Sequence, residues 1–175
     1  MRAPCGRAAH FNRRRVLKLA AAGATLLSAP VFPRPAAAGH ADALLLSCMD
    51  YRLLDDIVRY MDGRELTDNY DQVILAGASL GATTNVYPSW GETFWSHLQL
   101  ALDLHHVNKL IVLDHRDCGA YKAIFGQDYA ADPQRETEIH ALQMKELNAL
   151  VAEKHPTLPT ELLLMSLDGS VETIS

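Results

Sequence analysis

Two cysteines and a histidine stand where predicted strands end. His115 and Cys118 are three residues apart and follow an apolar run at residues 110–113, which is typical of a buried strand. Cys48 follows a second apolar run, at residues 41–47. Imidazole nitrogen and thiolate sulfur are ligands that Zn²⁺ prefers. Because open α/β sheets build their sites at the carboxyl ends of strands, we expect these three side chains to meet around one zinc ion.

Three protein ligands leave the fourth position of a tetrahedral zinc ion open for water, as in catalytic rather than structural sites. Because two thiolates cancel the formal charge of the ion, the water is acidified less than in an all-histidine site, and a proton acceptor nearby helps. Asp50 follows Cys48 by two residues, and Arg52 follows Asp50 by two. At alternating positions of an extended segment these side chains share a side, so Arg52 is predicted to hold Asp50 ionised. The alternative is a surface ion pair at a strand end.

Cysteine usage leaves one alternative open. The chain has three cysteines, of which Cys5 lies in an N-terminal segment that we expect to be removed. The other two, Cys48 and Cys118, would be able to form a structural disulfide in an exported protein. A disulfide leaves the neighbouring histidine, aspartate and arginine unexplained. Metal binding is therefore favoured.

The first 38 residues have the pattern of a cleavable export signal. Arg13 and Arg14 form a twin-arginine pair, an apolar run at residues 19–31 follows, and residues 36–38 form an A-x-A cleavage site. The apolar run is interrupted by proline and is short for a membrane span. We expect a twin-arginine signal peptide at residues 1–38 and a periplasmic or secreted protein with no membrane anchor after cleavage.

The remaining residues, 39–175, are enough for one domain. All 21 acidic residues lie there, whereas seven of the 16 basic residues precede it, which leaves nine basic residues and a formal net charge of −12. Nucleic acid and anionic membrane surfaces are poor partners for such a surface. A small diffusible substrate is compatible with it.

Apolar runs alternate with helical periodicity along this domain. The predicted strands cover residues 41–47, 72–76, 110–113, 161–167 and 171–174, and the predicted helices cover residues 51–61, 90–106, 120–125 and 134–154. Asp132 and Pro133 are the expected N-cap and first-turn residue of the last helix. The alternation predicts an α/β domain with a mainly parallel, four-stranded central sheet, helices on both faces and a short antiparallel final strand.

A glycine-containing turn and three histidines are weaker indications of a binding site. The glycine-containing turn at residues 77–81 lacks the Lys-Ser/Thr pair and the glycine spacing of a nucleotide-binding loop. His97, His105 and His106 lie along one predicted helix without a cysteine or carboxylate set at ligand spacing. This pattern favours packing or surface roles for the three histidines over a second metal site. Together with Tyr51 they are candidates for a proton relay, and the sequence singles out none of them.

The two motifs, Cys48-x-Asp50-x-Arg52 and His115-x-x-Cys118 followed by glycine, resemble the paired signatures of the β-class carbonic anhydrases. The order Cys-Met-Asp-Tyr-Arg-Leu is most similar to the short, archaeal-type branch. The resemblance implies zinc bound by Cys48, His115 and Cys118. It implies an Asp50–Arg52 catalytic dyad, with Asp50 as a conditional fourth ligand. It also implies reversible hydration of carbon dioxide to bicarbonate, and a homodimer or higher homo-oligomer.

Several positions depart from the pattern of that family. Tyr51 replaces the usual serine, Ile74 and Leu75 replace an Arg-Asn pair before Gly77, and Asp114 replaces the glycine before the zinc histidine. In the family such positions border the substrate pocket or the dimer contact, so Gly77 and Tyr51 are the expected pocket residues here. The alternatives are a hydrolase of carbon disulfide or carbonyl sulfide on the same scaffold, and a non-catalytic zinc-binding or sensing protein.

Overall fold

The computed structural model describes residues 39–175. The strands are β1 (Ala43–Cys48), β2 (Tyr70–Leu75), β3 (Leu110–His115), β4 (Thr160–Met165) and β5 (Val171–Thr173). The α-helices are α1 (Leu54–Gly63), α2 (Ser79–Thr83), α3 (Pro88–His105), α4 (Gly119–Phe125) and α5 (Pro133–Lys154). The predicted signal peptide at residues 1–38 lies outside the described residues.

The five strands form one sheet in the order β2-β1-β3-β4-β5. The first four strands in this order are parallel to one another, and β5 is antiparallel to β4. This arrangement confirms the predicted α/β class with its short antiparallel final strand. Ser47 in β1 is aligned with Leu113 in β3, so both strands deliver the residues that follow them to the same edge of the sheet.

An apolar core lies on each face of the sheet. Every residue of β1 and β3 is buried, which explains why both read as continuous apolar runs in the sequence. Leu45 packs with Ile57 and Met61 of α1 on one face. Leu46 packs in the other core, which includes Phe94 of α3 and side chains of α5. Helices therefore cover both faces, as predicted.

The predicted element boundaries differ most in the segment between β2 and α3. The sequence predicts no helix between residues 77 and 89, but α2 covers Ser79–Thr83 and α3 already begins at Pro88. A helix as short as α2 presents too few turns for a helical periodicity to be recognised. Proline is tolerated at the start of α3 because the first N–H groups of a helix lack intrahelical partners anyway. The predicted N-cap of α5 is confirmed, since the Asp132 carboxylate accepts a hydrogen bond from the Arg135 N–H.

In the part of the chain that the structure describes, no helix is both long enough and apolar enough to span a bilayer.

Candidate functional site

The carboxyl ends of β1 and β3 bring Cys48, His115 and Cys118 together. Cys48 and His115 are the last residues of their strands, and Cys118 immediately precedes α4. Their ligand atoms lie within 4.8 Å of one another, and all three side chains are buried. Within residues 39–175 no other group of His, Cys, Asp and Glu has this arrangement.

The donor set fits a tetrahedral metal ion. The sulfur atoms of Cys48 and Cys118 are 3.9 Å apart. Two thiolates that each lie about 2.3 Å from a tetrahedral ion are separated by about 3.8 Å, which is close to this distance. Both cysteines are free, so the structure contains the open pair rather than the disulfide that the sequence left as an alternative.

The imidazole of His115 is oriented for ligation through Nε2. Its Nδ1 lies 2.8 Å from the carbonyl oxygen of Arg116. We assign the proton to Nδ1 because a carbonyl oxygen only accepts. Nε2 then carries the lone pair, and it is buried without a hydrogen-bond partner. A buried acceptor without a partner is costly, and a metal ion at the centre of the cluster would satisfy it.

The side chains of Cys48 and Cys118 differ in protonation state. Hydrogen bonding by the Cys118 thiol lowers the pKa of Cys48 to about 4, against the opposing effect of burial. The N–H of Gly77, which lies 3.3 Å from the Cys48 sulfur, adds to this stabilisation. The adjacent Cys48 thiolate, together with burial, raises the pKa of Cys118. The cluster therefore holds one thiolate and one proton that an arriving metal ion must displace.

Asp50 and Arg52 form a bidentate pair beside the three ligands. Nε and Nη2 of Arg52 donate to Oδ1 and Oδ2 of Asp50 at 3.0 and 2.8 Å. The guanidinium lowers the pKa of Asp50, which stays ionised. Oδ2 of Asp50 lies 3.9 Å from Nε2 of His115, so the carboxylate borders the ligand atoms.

The local geometry of this pair differs from the expectation of an extended segment. Arg52 lies in a single 3₁₀ turn, Tyr51–Leu53, and Asp50 is the N-cap of that turn. Oδ1 of Asp50 accepts the backbone N–H of Arg52 at 3.0 Å. The carboxylate and guanidinium therefore meet because the chain turns, not because alternate residues of a strand share a side.

A residue that the sequence analysis missed, Asp117, also contacts Arg52. Nη1 of Arg52 donates to Oδ2 of Asp117 at 2.7 Å, and Nη2 donates to its carbonyl oxygen at 2.9 Å. Asp117 has φ of +54°, a left-handed conformation that aspartate adopts more readily than most residues. The H-x-x-C motif leaves this position unspecified, so only its place between two ligands hinted at a role.

An apolar cleft of about 450 Å³ opens beside the ligands. Its walls are formed by residues that follow β1 and β2, by the N-cap and first turn of α3, and by residues of α4, including Met49, Tyr51, Ala76, Tyr87, Trp90, Ala123 and Ile124. Of the two expected pocket residues, Tyr51 lines the cleft. Gly77 instead lies behind Cys48, where its φ is +78° and a Cβ would come within 3.2 Å of the Ala120 Cβ. Glycine is required there by both conformation and space.

The three histidines of α3 and its C-cap lie apart from this cluster. His97 is exposed and its Nδ1 contacts the carbonyl oxygen of Thr93, whereas His105 pairs with Asp71 at 2.7 Å. His106 is exposed and has a left-handed conformation. None of them lines the cleft or belongs to a metal-binding group among residues 39–175.

A second buried polar cluster surrounds Asp114, the residue before the histidine ligand. Its carboxylate accepts hydrogen bonds from the N–H and hydroxyl of Ser79 at 2.9 and 2.6 Å, from the Tyr121 hydroxyl at 2.6 Å and from Nδ1 of His140 at 2.8 Å. The cluster ties α2, α4 and α5 to β3. It also occupies the Ser79 N–H of the glycine-containing turn, which a phosphate-binding loop would leave free.

Comparison with known proteins identifies relatives over this whole domain. Residues 39–175 match the family described as "Putative carbonic anhydrase". The chain is 40% identical over 135 residues to an uncharacterized protein of Rickettsia conorii (strain ATCC VR-613 / Malish 7), covering 77% of this chain and 73% of that one. It is 38% identical over 135 residues to an uncharacterized protein of Rickettsia bellii (strain RML369-C), covering 77% and 82%.

Solved structures share the fold at low sequence identity. Carbonic anhydrase from Streptococcus mutans superposes with a TM-score of 0.53 and 17% identity over 82% of this chain and 88% of its own. β-Carbonic anhydrase isoform I from Trichomonas vaginalis superposes with a TM-score of 0.51 and 18% identity over 94% and 98%. The fold is therefore that of the β-carbonic anhydrases, and the chain belongs to the family described as "Putative carbonic anhydrase".

Proposed function

We propose that this protein is a zinc-dependent carbonic anhydrase that catalyses the reversible hydration of carbon dioxide to bicarbonate and a proton. The observation that carries the proposal is the buried cluster of Cys48, His115 and Cys118 beside an ionised, oriented carboxylate, in a chain of this family. Zinc is the proposed metal because two thiolates and an imidazole are a donor set that it prefers.

Bound zinc would supply the Lewis acidity that makes water nucleophilic near neutral pH. The protein residues supply the remaining requirements. Asp50 accepts a hydrogen bond from the reacting water and so orients it toward carbon dioxide. Arg52 keeps Asp50 ionised and fixed through its two side-chain hydrogen bonds.

The apolar cleft suits a substrate without charge or net dipole. Its walls carry aromatic and aliphatic side chains, among them Tyr87, Trp90 and Ile124, and the cleft reaches Cys48 and Cys118. A non-polar approach admits carbon dioxide without a competing shell of ordered water. Bicarbonate, being charged, is held less well by the same walls and is released.

Hydrolysis of carbonyl sulfide or carbon disulfide is a second candidate function. The observation that favours it is the apolar pair Ile74 and Leu75 at the end of β2, which replaces the polar pair expected from the family resemblance. Both molecules are linear and less polar than bicarbonate, so they suit an apolar approach. A non-catalytic zinc-binding or sensing protein is the remaining alternative.

Stopped-flow hydration of carbon dioxide by the purified, zinc-loaded protein tests the proposal. We expect proton release proportional to the concentration of zinc-bound protein, with metal-depleted protein as the control. Absence of hydration at full zinc loading would contradict the proposal. Release of hydrogen sulfide from carbonyl sulfide or carbon disulfide would then support the second candidate. Inactivity toward all three substrates would leave the zinc-binding role.

We also propose that residues 1–38 direct export by the twin-arginine route, so that the domain acts in the periplasm or outside the cell. The sequence pattern around Arg13 and Arg14 supports this proposal. Replacing both arginines by lysine is expected to retain the protein in the cytoplasm, as measured by cell fractionation. Unchanged export in cells without the twin-arginine machinery would contradict the route.

A homodimer or higher homo-oligomer is the proposed assembly. Ile74 on the edge strand β2, and Leu100 and Leu104 on α3, are about half exposed. Exposed apolar side chains grouped near an unpaired sheet edge mark a candidate site for association with another chain. Light scattering coupled to size-exclusion chromatography measures the assembly, and a monomeric mass at micromolar concentration would contradict it.

A further inference from the structure

We infer that Asp117 is a positioning residue that fixes Arg52 on Asp50 and thereby keeps the Asp50 carboxylate out of the fourth metal position. The inference rests on the proposed metal site, because it concerns whether that position stays open. It does not require carbon dioxide to be the substrate. Three features of the structure support it.

The first feature is the division of Arg52 between two aspartates. A guanidinium has five N–H donors. Arg52 uses four side-chain hydrogen bonds, two to Asp50 and two to Asp117. Any movement of Arg52 that followed Asp50 toward the metal would break the two contacts with Asp117, one of which is to a carboxylate. Asp117 therefore fixes the position of the Arg52 guanidinium in addition to balancing its charge.

The second feature is that Asp117 is itself anchored from outside the metal cluster. Its backbone N–H donates to Oε1 of Glu136 in α5 at 2.6 Å. Glu136 is only 4% exposed, and its other oxygen accepts from Arg116 at 3.1 Å. The backbone from which the Asp117 side chain projects is thus held by a buried glutamate of a long helix.

The third feature is that Asp50 has no other restraint among the described residues. Each of the hydrogen bonds that its carboxylate accepts comes from Arg52. Its Oδ2 lies 3.9 Å from Nε2 of His115, and carboxylate oxygen is itself a zinc ligand. A small displacement of Asp50 would bring it onto the metal. The chain from Glu136 through Asp117 and Arg52 opposes that displacement.

The test measures access of an anion to the metal rather than turnover. Asp117→Gly removes the carboxylate and suits the left-handed backbone at this position. Asp128→Asn is the matched control, because Asp128 is an exposed aspartate that pairs with Lys122 and has no contact with Arg52. Both variants and the unaltered protein are loaded with Co²⁺, and azide binding is followed by the visible spectrum. We expect azide to bind about tenfold more weakly to Asp117→Gly, the scale of one charge-assisted hydrogen bond, and equally well to the control.

A double variant identifies the residue that closes the site. Asp117→Gly combined with Asp50→Ala is expected to bind azide as tightly as Asp50→Ala alone, because no carboxylate is left to compete. Unchanged azide affinity in Asp117→Gly, no recovery in the double variant, or loss of metal from Asp117→Gly would each overturn the inference. A protein that fails to hydrate carbon dioxide but shows the expected azide pattern would contradict the proposed function alone.

Discussion

Two adjacent residues of β3 belong to two different polar clusters. His115 and Asp114 are 3% and 1% exposed, so burial does not distinguish them. The Asp114 carboxylate accepts four hydrogen bonds, whereas Nε2 of His115 has no partner and an open cleft lies beside its cluster. Because buried polar atoms are nearly always paired in folded proteins, the unpaired nitrogen marks the place where a ligand completes the structure.

The polar cluster around Asp114, here called the closed cluster, stabilises the fold of the domain. The cluster of Cys48, His115 and Cys118 is called the open cluster. Burial, with the added effect of the Asp114 carboxylate, raises the pKa of Tyr121 well above its usual value, so its hydroxyl remains a donor. The hydrogen bonds of this cluster join three helices to the central strand. Substitutions in the open cluster should therefore change metal binding and rate, and substitutions in the closed cluster should change the free energy of unfolding.

The largest effect is expected from Cys118→Ser in the open cluster. A serine hydroxyl is a poor substitute for a thiolate on zinc, and the site keeps only two ligands. The zinc content should fall from about one per chain to near zero, as measured by inductively coupled plasma mass spectrometry. Tyr121→Phe in the closed cluster should retain its zinc. Zinc retained at full stoichiometry in Cys118→Ser would break the assignment of the open cluster as the metal site.

Asp50→Asn should lower the rate of carbon dioxide hydration by about a hundredfold or more. The amide keeps the shape of the side chain but removes the negative acceptor, while all three ligands remain. Zinc content should hardly change, and Arg52→Ala should act in the same direction by releasing Asp50. The measurement is stopped-flow hydration with zinc assayed on the same samples. Equal rates at equal zinc would mean that the pair is structural only.

Zinc affinity should weaken as pH falls, by about tenfold per pH unit for each proton released on binding. In the metal-free protein Cys48 has a pKa of about 4, whereas the pKa of Cys118 is raised. Cys48 is therefore already a thiolate near neutral pH, and Cys118 must lose its proton to zinc. Lower pH favours the protonated thiol and so opposes binding. Chelator competition at two pH values measures the slope. An affinity independent of pH would show that Cys118 is ionised before zinc arrives.

The smallest effect is expected from Tyr121→Phe in the closed cluster. The hydroxyl donates to Asp114 at 2.6 Å, but Asp114 keeps its bonds with Ser79 and His140. The free energy of unfolding should fall by about 2 kcal/mol, within the usual range for a hydrogen bond to a charged group. Urea denaturation measures the loss, and zinc content and hydration rate are the controls. A large loss of zinc would mean that the two clusters are not separable.

The sequence alone was sufficient to predict the α/β class and the convergence of Cys48, His115 and Cys118. Both predictions depend on local signals. Strands buried on both faces are continuous apolar runs, and parallel strands end at one edge of the sheet, so residues that follow them must meet. The export signal and the archaeal-type branch are also predictions from local pattern, and they stay predictions.

Only the tertiary structure decided how those residues are held. The contacts of Asp117 with Arg52, of the Gly77 N–H with Cys48 and of Asp114 with Ser79 and His140 join residues that are at least 26 positions apart in the sequence. No periodicity or spacing encodes such contacts, because each depends on the positions of several packed elements at once. The unpaired Nε2 of His115 also could not be predicted from the sequence. Whether a nitrogen has a hydrogen-bond partner depends on all of the residues that pack around it.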